Sequence, residues 1–570
     1  MRAQAGTMTA SGLRSGARHY AGGWTGAFLL VIVAVFVAYP LVQLIFNTFG
    51  GGGEGDVFQT YREAFTSSIA LSSVWGTVWL TLVTLLFGIP LAVLLAWIAS
   101  STDAPMARAL AMLPTLSLAL SPLVGAIGWM VLLAPRVGML NLALRSIFGL
   151  DIDEGPLNAF SLPVIIMLMT FYIVPYIYGP AHAAFSQVDA SLQEAAKVCG
   201  AGSKWTLITV TLPILRPSIL AGALIGGVMC ASMFAIPLIL ASGTGLHVIP
   251  TQIYYYINQE GRTGPAMAMA SLLSVVTMTA MLLYFRLLGK GRFVTLSGKG
   301  SRRVLVPLGA WRWPAAALLM VFLFVSLIVP LGALAYLSMV GFWSGNVFNQ
   351  ALNFEQYRRL VDFPNTMLGL VNSTWLAASG AAIALILGFV ISYRRLRDAR
   401  PVNRLIAFVA SLPLGVPSIV LGLAVLASFT GGFLPLYGTA LIMVLAYALH
   451  MLPITMRSSD AGLLQVSPEL EEAALVCGDS RTGTVARVLL PALRRPLLTV
   501  WGLSFIILFR DISTSILLYT PETVPSSVAL LSIFDQGWMT GAAAYSIIIT
   551  LISAAVVALI IKSADMADAG

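Results

Sequence analysis

Two short stretches hold the chain's most deliberate arrangement of polar groups. One reads EAAKVCG from Glu194 to Gly200, followed by VTLP ending at Pro213; the other reads EAALVCG from Glu472 to Gly478, followed by VLLP ending at Pro491. Glu to Gly is six residues and Gly to Pro thirteen in both, and the second copy lies 278 positions after the first. Each is a polar island in a very apolar chain. The chemistry such an island offers is recognition, an acidic helical surface shown to a partner.

Other candidate chemistry is sparse. Cys199, Cys230 and Cys477 are the three cysteines, two in the islands and one in an apolar run, and packing explains them better than a disulfide. His19, His182, His247 and His450 are scattered, with no Cys/His/carboxylate spacing that forms a metal site. Neither H-E-x-x-H nor paired intramembrane aspartates occur, so no catalytic constellation is expected. A phosphate-binding G-x-x-x-x-G-K-[ST] loop is also missing: in SGKGS, Ser297 to Ser301, the first glycine would fall at Phe293 and Gly300 follows the lysine. Arg510 and Asp511 stand apart, because ionisable groups at membrane depth are costly and tend to line polar cavities.

The elements that position the islands follow from local rules. Asp189 and Ser467 align as helix N-caps, and Pro468 occupies the first helical position, where its missing N–H costs nothing. Gly200 and Gly478 fall where a helix needs a residue at positive φ to stop. Leu192, Ala195, Ala196 and Cys199 share one face, as do Leu470, Ala473, Ala474 and Cys477. That small-residue side is expected to pack inward and the acidic side to face a partner.

Around the islands the chain is 58% hydrophobic and only 10% charged over 570 residues, with a mean hydropathy of +0.90. No soluble class fits, and an all-α polytopic membrane protein is expected. Trp24 to Phe46 is long enough to span and reads as an uncleaved first helix. Further runs lie near 71–99, 110–134, 159–180, 217–240 and 264–285, then near 313–340, 367–393, 405–428, 437–456, 497–518 and 538–561. Twelve spans result, six in each half, and Pro90, Pro122, Pro175, Pro237, Pro417 and Pro453 inside them are candidate kinks. With the N-terminus inside, 25 of the 32 Lys and Arg fall on the cytoplasmic side, which places both islands and both termini there. This bias also accounts for the +9 net charge through topology and anionic lipid contact, so no nucleic-acid partner is needed.

The halves repeat beyond the islands. SVWGT at Ser73 to Thr77 matches STWLA at Ser373 to Ala377, Gly88 matches Gly388 at the same displacement of 300, and Leu113-Pro114 finds Leu412-Pro413. Six spans return the chain to its starting side, so the repeats are parallel. The expected organisation is a tail at 1–23, a first half at 24–285 with its island loop at 181–216, and a basic linker at 286–312. A second half at 313–561 follows, with its island loop at 457–495, and then a tail at 562–570.

The spacing EAA, three residues, Gly, nine residues, aliphatic, any residue, Leu-Pro resembles the cytoplasmic signature of the membrane subunits of binding-protein-dependent ATP-binding-cassette importers. Val210 and Val488 take the position that is usually Ile. The resemblance implies that Glu194, Ala195, Ala196, Gly200 and Pro213, with Glu472, Ala473, Ala474, Gly478 and Pro491, build two coupling helices. Each would dock on a separate ATPase copy that carries the ATP and magnesium, while an extracytoplasmic binding protein delivers substrate to a bacterial inner-membrane permease. The permease itself would bind no cofactor. Fusion of both halves, together with FRDISTSILLYTPETVPSSVALLSIFDQG from Phe509 to Gly537 and FAIPLILASGTGLHVIPTQIYYYI from Phe234 to Ile257, is similar to the ferric-iron permeases. Thiamine, phosphonate and spermidine importers share much of that pattern. Arg510 and Asp511 are expected to form a local salt bridge or an external-loop contact, or else to line the outer mouth of the pathway, and Tyr254, Tyr255 and Tyr256 are expected to mark the external interface, where aromatic belts collect. A secondary transporter would also have twelve spans, but it would carry more ionisable groups inside them.

Overall fold

The computed structural model describes residues 23–50, 58–149, 153–188, 190–290, 305–343, 351–398, 400–431 and 434–566. Asp189, the SGKGS stretch, most of the basic linker, residues 1–22 of the N-terminal tail and the last four residues lie outside them.

Among the described residues ten helices are long and apolar enough to cross a membrane, and two bent helix pairs bring the number to as many as twelve. In chain order the first half holds α1 (Phe28–Phe49), α2 (Ser68–Ser101), the pair α3 (Ala107–Ala119) and α4 (Pro122–Leu133), and α5 (Leu162–Ser186). The island helix α6 (Ala190–Val198) follows, then α7 (Lys204–Ala231), the short α8 (Ile249–Asn258) and α9 (Thr263–Leu287). The second half repeats this order with α10 (Gly309–Ser338), α11 (Thr366–Arg397), the pair α12 (Pro401–Gly415) and α13 (Ser418–Phe429), and α14 (Ala440–Gln465). Its island helix is α15 (Pro468–Val476), followed by α16 (Arg481–Phe509), the short α17 (Ser526–Asp535) and α18 (Met539–Ile560). No strand occurs among the described residues; only two isolated bridges, Thr102 with Val306 and Val340 with Leu352, are extended pairings.

Repetition extends to irregularities. The first span of each half carries one π-helical turn, Ala34–Ala38 and Phe324–Ile328, and so does the exit from each island, Leu207–Thr211 and Val485–Leu489. Prolines account for the bent spans: Pro122 starts α4 after a 90° break, and Pro417 precedes α13 after a 117° break. The expected single helices over 110–134 and 405–428 are therefore each two. Two more expectations shift. The run 217–240 breaks after Ala231 and restarts as Ala235–Leu240, and 497–518 ends as a helix at Phe509. By contrast, Pro90, Pro175 and Pro453 sit inside continuous helices, where neighbouring groups tolerate the lost N–H.

The two halves clasp each other. α1 packs along α9 of its own half and reaches α13 of the other, where Tyr39 meets Phe429 edge-on with ring centroids 5.9 Å apart. α10 mirrors this, packing on α18 and on α4. Apolar lipid gives no hydrophobic drive between helices, so close approach at small residues must supply the packing. A Cβ at Gly128 would lie 2.9 Å from the Cβ of Pro330 on α10.

The repeated glycines have that use within each half. α11 lies along α14, and a Cβ at Gly388 would stand 2.8 Å from the backbone nitrogen of Met456 and 2.6 Å from Thr455 Oγ1. At Gly88 the obstacle is only the flexible end of Ile173, with Cδ1 at 2.6 Å. Gly388→Val should therefore cost about 3 kcal/mol of overpacking and lower the thermal unfolding midpoint in detergent clearly more than Gly88→Val. Equal shifts would contradict the backbone contact at Gly388.

The second shared motif ties the long helices to the short ones. Thr77 Oγ1 on α2 accepts the Ile249 N–H that opens α8 at 2.8 Å, and Ser373 Oγ on α11 accepts the Ser526 N–H that opens α17 at 2.7 Å. Both caps come from the SVWGT and STWLA segments, supplying from another helix the acceptor that a first-turn amide lacks. Tyr254, Tyr255 and Tyr256 of α8 do not form an exposed belt: Tyr256 is buried, the other two are half-buried, and Tyr254 packs on Phe234.

Candidate functional site

The islands end as their glycines require. Gly200 has φ +81° and Gly478 φ +91°. Ala201 N–H bonds back to the Ala196 carbonyl and Asp479 N–H to that of Ala474, each at 3.0 Å. This six-to-one closure is the Schellman arrangement that leaves the glycine in the left-handed region. At the other end of α15, Ser467 Oγ accepts the Glu469 N–H at 3.3 Å. Pro213 and Pro491 open the second turn of the exit, just after each π-helical segment.

The island faces are reversed from expectation in one respect. Ala195 on α6 and Cys199 just past it, with Leu470, Ala473 and Cys477 of the second island, are exposed, Ala196 and Ala474 are half-buried, and the Leu192 side chain lies outside the described residues, so most of the small-residue face is not packed within this chain. Val198 and Val476, 278 positions apart, are each 88% exposed at the helix ends. Glu194 and Glu472 are exposed as expected. The buried acid is instead Glu471, which receives Arg397 Nε on its Oε1 at 2.8 Å. A small-residue surface flanked by a carboxylate and an aliphatic tip thus faces outward from each island. Sequence pattern could not assign this side, because alanine periodicity marks a close-packed face without saying which chain packs on it.

Arg510 and Asp511 lie at the seam between halves, beyond the end of α16. Arg510 donates through Nη1 to the Ala119 carbonyl and through Nη2 to the Leu118 carbonyl, both at 2.6 Å. These carbonyls belong to the break between α3 and α4 in the other half. Asp511 does not pair with Arg510; its Oδ2 accepts the Thr514 N–H at 3.0 Å, and its carbonyl accepts the hydroxyls of Ser515 and Ser527 at 2.8 and 2.7 Å. Arg510 therefore staples the halves, while Asp511 shapes the turn that aims it.

Two side chains at the same seam, one of them among the scattered histidines, had no role readable from sequence. Tyr172 of α5 donates its hydroxyl to the Ser121 carbonyl at 2.7 Å, at the break in the first half. His450 of α14, 278 positions later, sits 3.2 Å through Nε2 from Ser418 Oγ, at the break in the second. Each bent span is thus pinned at its corner by the equivalent residue of the next long helix. The 278 displacement was the available signal, but tyrosine and histidine share no residue type. Among the described residues no group of three or more His, Cys, Asp or Glu could hold a metal ion.

Comparison with known proteins agrees with this duplicated build. The family model described as binding-protein-dependent transport system inner membrane component matches residues 85–291 and again 384–565, one block in each half. The chain is 25% identical over 542 residues to the ferric transport system permease protein FbpB of Actinobacillus pleuropneumoniae, covering 93% of this chain and 77% of that one. It is 23% identical over 553 residues to the probable ABC transporter permease protein y4fN of Sinorhizobium fredii, covering 94% and 95%. A solved bacterial ABC transporter involved in import of the acidic polysaccharide alginate aligns with a TM-score of 0.39 and 22% identity, over 47% of this chain and 93% of that one. Matched twice by that model, once in each six-span half, the chain belongs to the binding-protein-dependent transport system inner membrane components and is a non-catalytic ABC importer permease.

Proposed function

We propose that this permease carries ferric iron, delivered by an extracytoplasmic binding protein, into the cytoplasm by alternating access. The observation that carries the substrate assignment is the match along 93% of the chain to a permease named for ferric transport. A second such relative, the putative ferric transport system permease protein FbpB 1 of Haemophilus influenzae, is 25% identical over 504 residues. Both halves, 24–285 and 313–561, face the cytoplasm with their islands, as the Lys and Arg bias requires. Each island docks on one copy of a separate ATPase, which holds ATP and magnesium. Glu194, Ala195, Ala196 and Gly200 form one contact and Glu472, Ala473, Ala474 and Gly478 the other, with Pro213 and Pro491 leading each movement back into α7 and α16.

In the cycle, loaded binding protein docks outside and ATP draws the ATPase pair together. The islands carry that closure to the spans, the seam stapled by Arg510 opens outward, and hydrolysis returns it. Iron needs no ligand set in the permease, since the binding protein supplies the ligands and the permease need only offer a passage.

Uptake of ferric iron and of thiamine, in cells with and without the gene, tests the substrate. Loss of iron uptake alone is the expected result, and loss of thiamine uptake alone would overturn the iron assignment. A phosphonate arm is worth including, because residues of this chain are 27% identical over 148 positions to a putative 2-aminoethylphosphonate permease, PhnV of Salmonella typhimurium.

A further inference from the structure

The two islands are held to their halves differently. On α15, Glu471 is 8% exposed although its neighbours Glu469, Leu470, Glu472 and Ala473 are all exposed. Its Oε1 accepts Arg397 Nε at 2.8 Å and its Oε2 accepts the Tyr393 hydroxyl at 3.4 Å. Both partners lie in the last turns of α11. The same end of α11 is braced onto its neighbours, since Arg395 Nη2 lies 2.7 Å from Asp460 Oδ2 on α14 and Arg394 Nε donates to Asn403 Oδ1 on α12 at 3.3 Å.

At the equivalent positions the first half has no such pair. The positions 300 before Arg397 and Tyr393 are Trp97 and Val93, and the position 278 before Glu471 is Gln193. No ion pair can form from these side chains. The matching end of α2 is engaged elsewhere, by the stretch that leads out of the linker. Val306 N–H donates to the Ser101 carbonyl at 2.8 Å, the Val306 carbonyl accepts Asp103 N–H at 3.2 Å, and Leu308 N–H donates to Asp103 Oδ1 at 2.8 Å. So α2 is strapped to the chain entering the second half, and α11 is wired to a docking helix.

We infer that the Arg397–Glu471 pair is a strut that passes movement of the second docking helix directly into α11, so that the two ATPase contacts drive transport unequally. The inference rests on reading the islands as ATPase-docking helices. A buried ion pair suits this duty because its geometry is fixed by charge and by the Tyr393 hydroxyl together. An aliphatic contact of the same size would let the helices slide. Glu471 and Arg397 are positioning residues, turned away from the surface that Glu472 and Val476 present.

The test uses the intact permease–ATPase complex in lipid nanodiscs, with Cys199, Cys230 and Cys477 replaced by alanine. Spin labels at Val78→Cys on α2 and Val371→Cys on α11, both exposed, report the separation of the outer ends when ATP and vanadate trap the complex. No cargo is required. In the Glu471→Gln variant the ATPase is expected to copurify and hydrolyse as in the parent complex, while the fraction reaching the trapped separation falls roughly tenfold because Arg397 loses its partner. Gln193→Leu in the first island should leave that fraction unchanged. The exchanged pair Glu471→Arg with Arg397→Glu should restore much of it. Equal effects of Glu471→Gln and Gln193→Leu would overturn the strut, as would loss of ATPase copurification in Glu471→Gln alone, which would make the pair a fold-keeping contact. Absence of ATPase from the parent complex would instead overturn the docking reading beneath it.

Discussion

Replacing Gly200 and Gly478 together by valine is expected to abolish uptake and ATPase assembly while leaving the amount of protein in the membrane nearly unchanged. The reason is conformational. Both glycines have φ near the left-handed region, at +81° and +91°, and nothing lies within 4 Å of where their Cβ atoms would be. No steric clash with neighbours arises, and the whole cost is backbone strain, about 1–2 kcal/mol at each site and more for a β-branched residue. Across two sites this corresponds to roughly a hundredfold loss in the fraction of permeases with both helix ends correctly shaped. The Schellman closures at Ala201 and Asp479 are what bend the chain toward α7 and α16. Losing them misdirects the exposed tips at Val198 and Val476, whereas spans buried elsewhere are untouched. Asparagine at both sites, which tolerates the left-handed region, should retain most uptake. Normal transport by the double valine variant, measured beside copurification of the ATPase, would remove the islands from the coupling path.

The next largest effect is expected at Arg510. Its two charge-assisted hydrogen bonds to the Leu118 and Ala119 carbonyls cross from one half to the other, and bonds to charged groups contribute about 1.5–3 kcal/mol each. Arg510→Met leaves both carbonyls without that donor and weakens the closed seam. If even half of this energy favours the closed state, the open population rises roughly tenfold or more. The readout is ATP hydrolysis by the complex without binding protein, which should rise, together with less uptake per ATP. Arg510→Lys should fall between, because an ammonium cannot present the planar fork that reaches two adjacent carbonyls. Unchanged basal hydrolysis in Arg510→Met would show that the seam is held elsewhere.

Much of this architecture was legible because its signals are local. Spans follow from hydropathy, island ends from Ser467, Gly200 and Gly478, and duplication from spacing alone. The breaks at Pro122 and Pro417 were visible as possible kinks, yet their angles were not. A proline removes a hydrogen bond and crowds the preceding turn without setting the angle, and the corners are also pinned by Tyr172 and His450 from distant helices. Long-range pairings were the least legible. Nothing near Glu471 in sequence points to Arg397, 74 positions away, and nothing near Arg510 points to Ala119, 391 positions away. The small-residue face of each island misled for a related reason: its periodicity marks a close-packing surface without saying which chain packs on it, and in this chain most of it is exposed.

The most direct test of an ATP-driven permease is to extract the tagged chain from its native membrane in mild detergent and determine what accompanies it. Two ATPase chains per permease, lost in the double valine variant at Gly200 and Gly478, is the expected result. A permease that purifies alone, in cells whose uptake collapses with the proton gradient and not with ATP depletion, would contradict it and favour a secondary transporter.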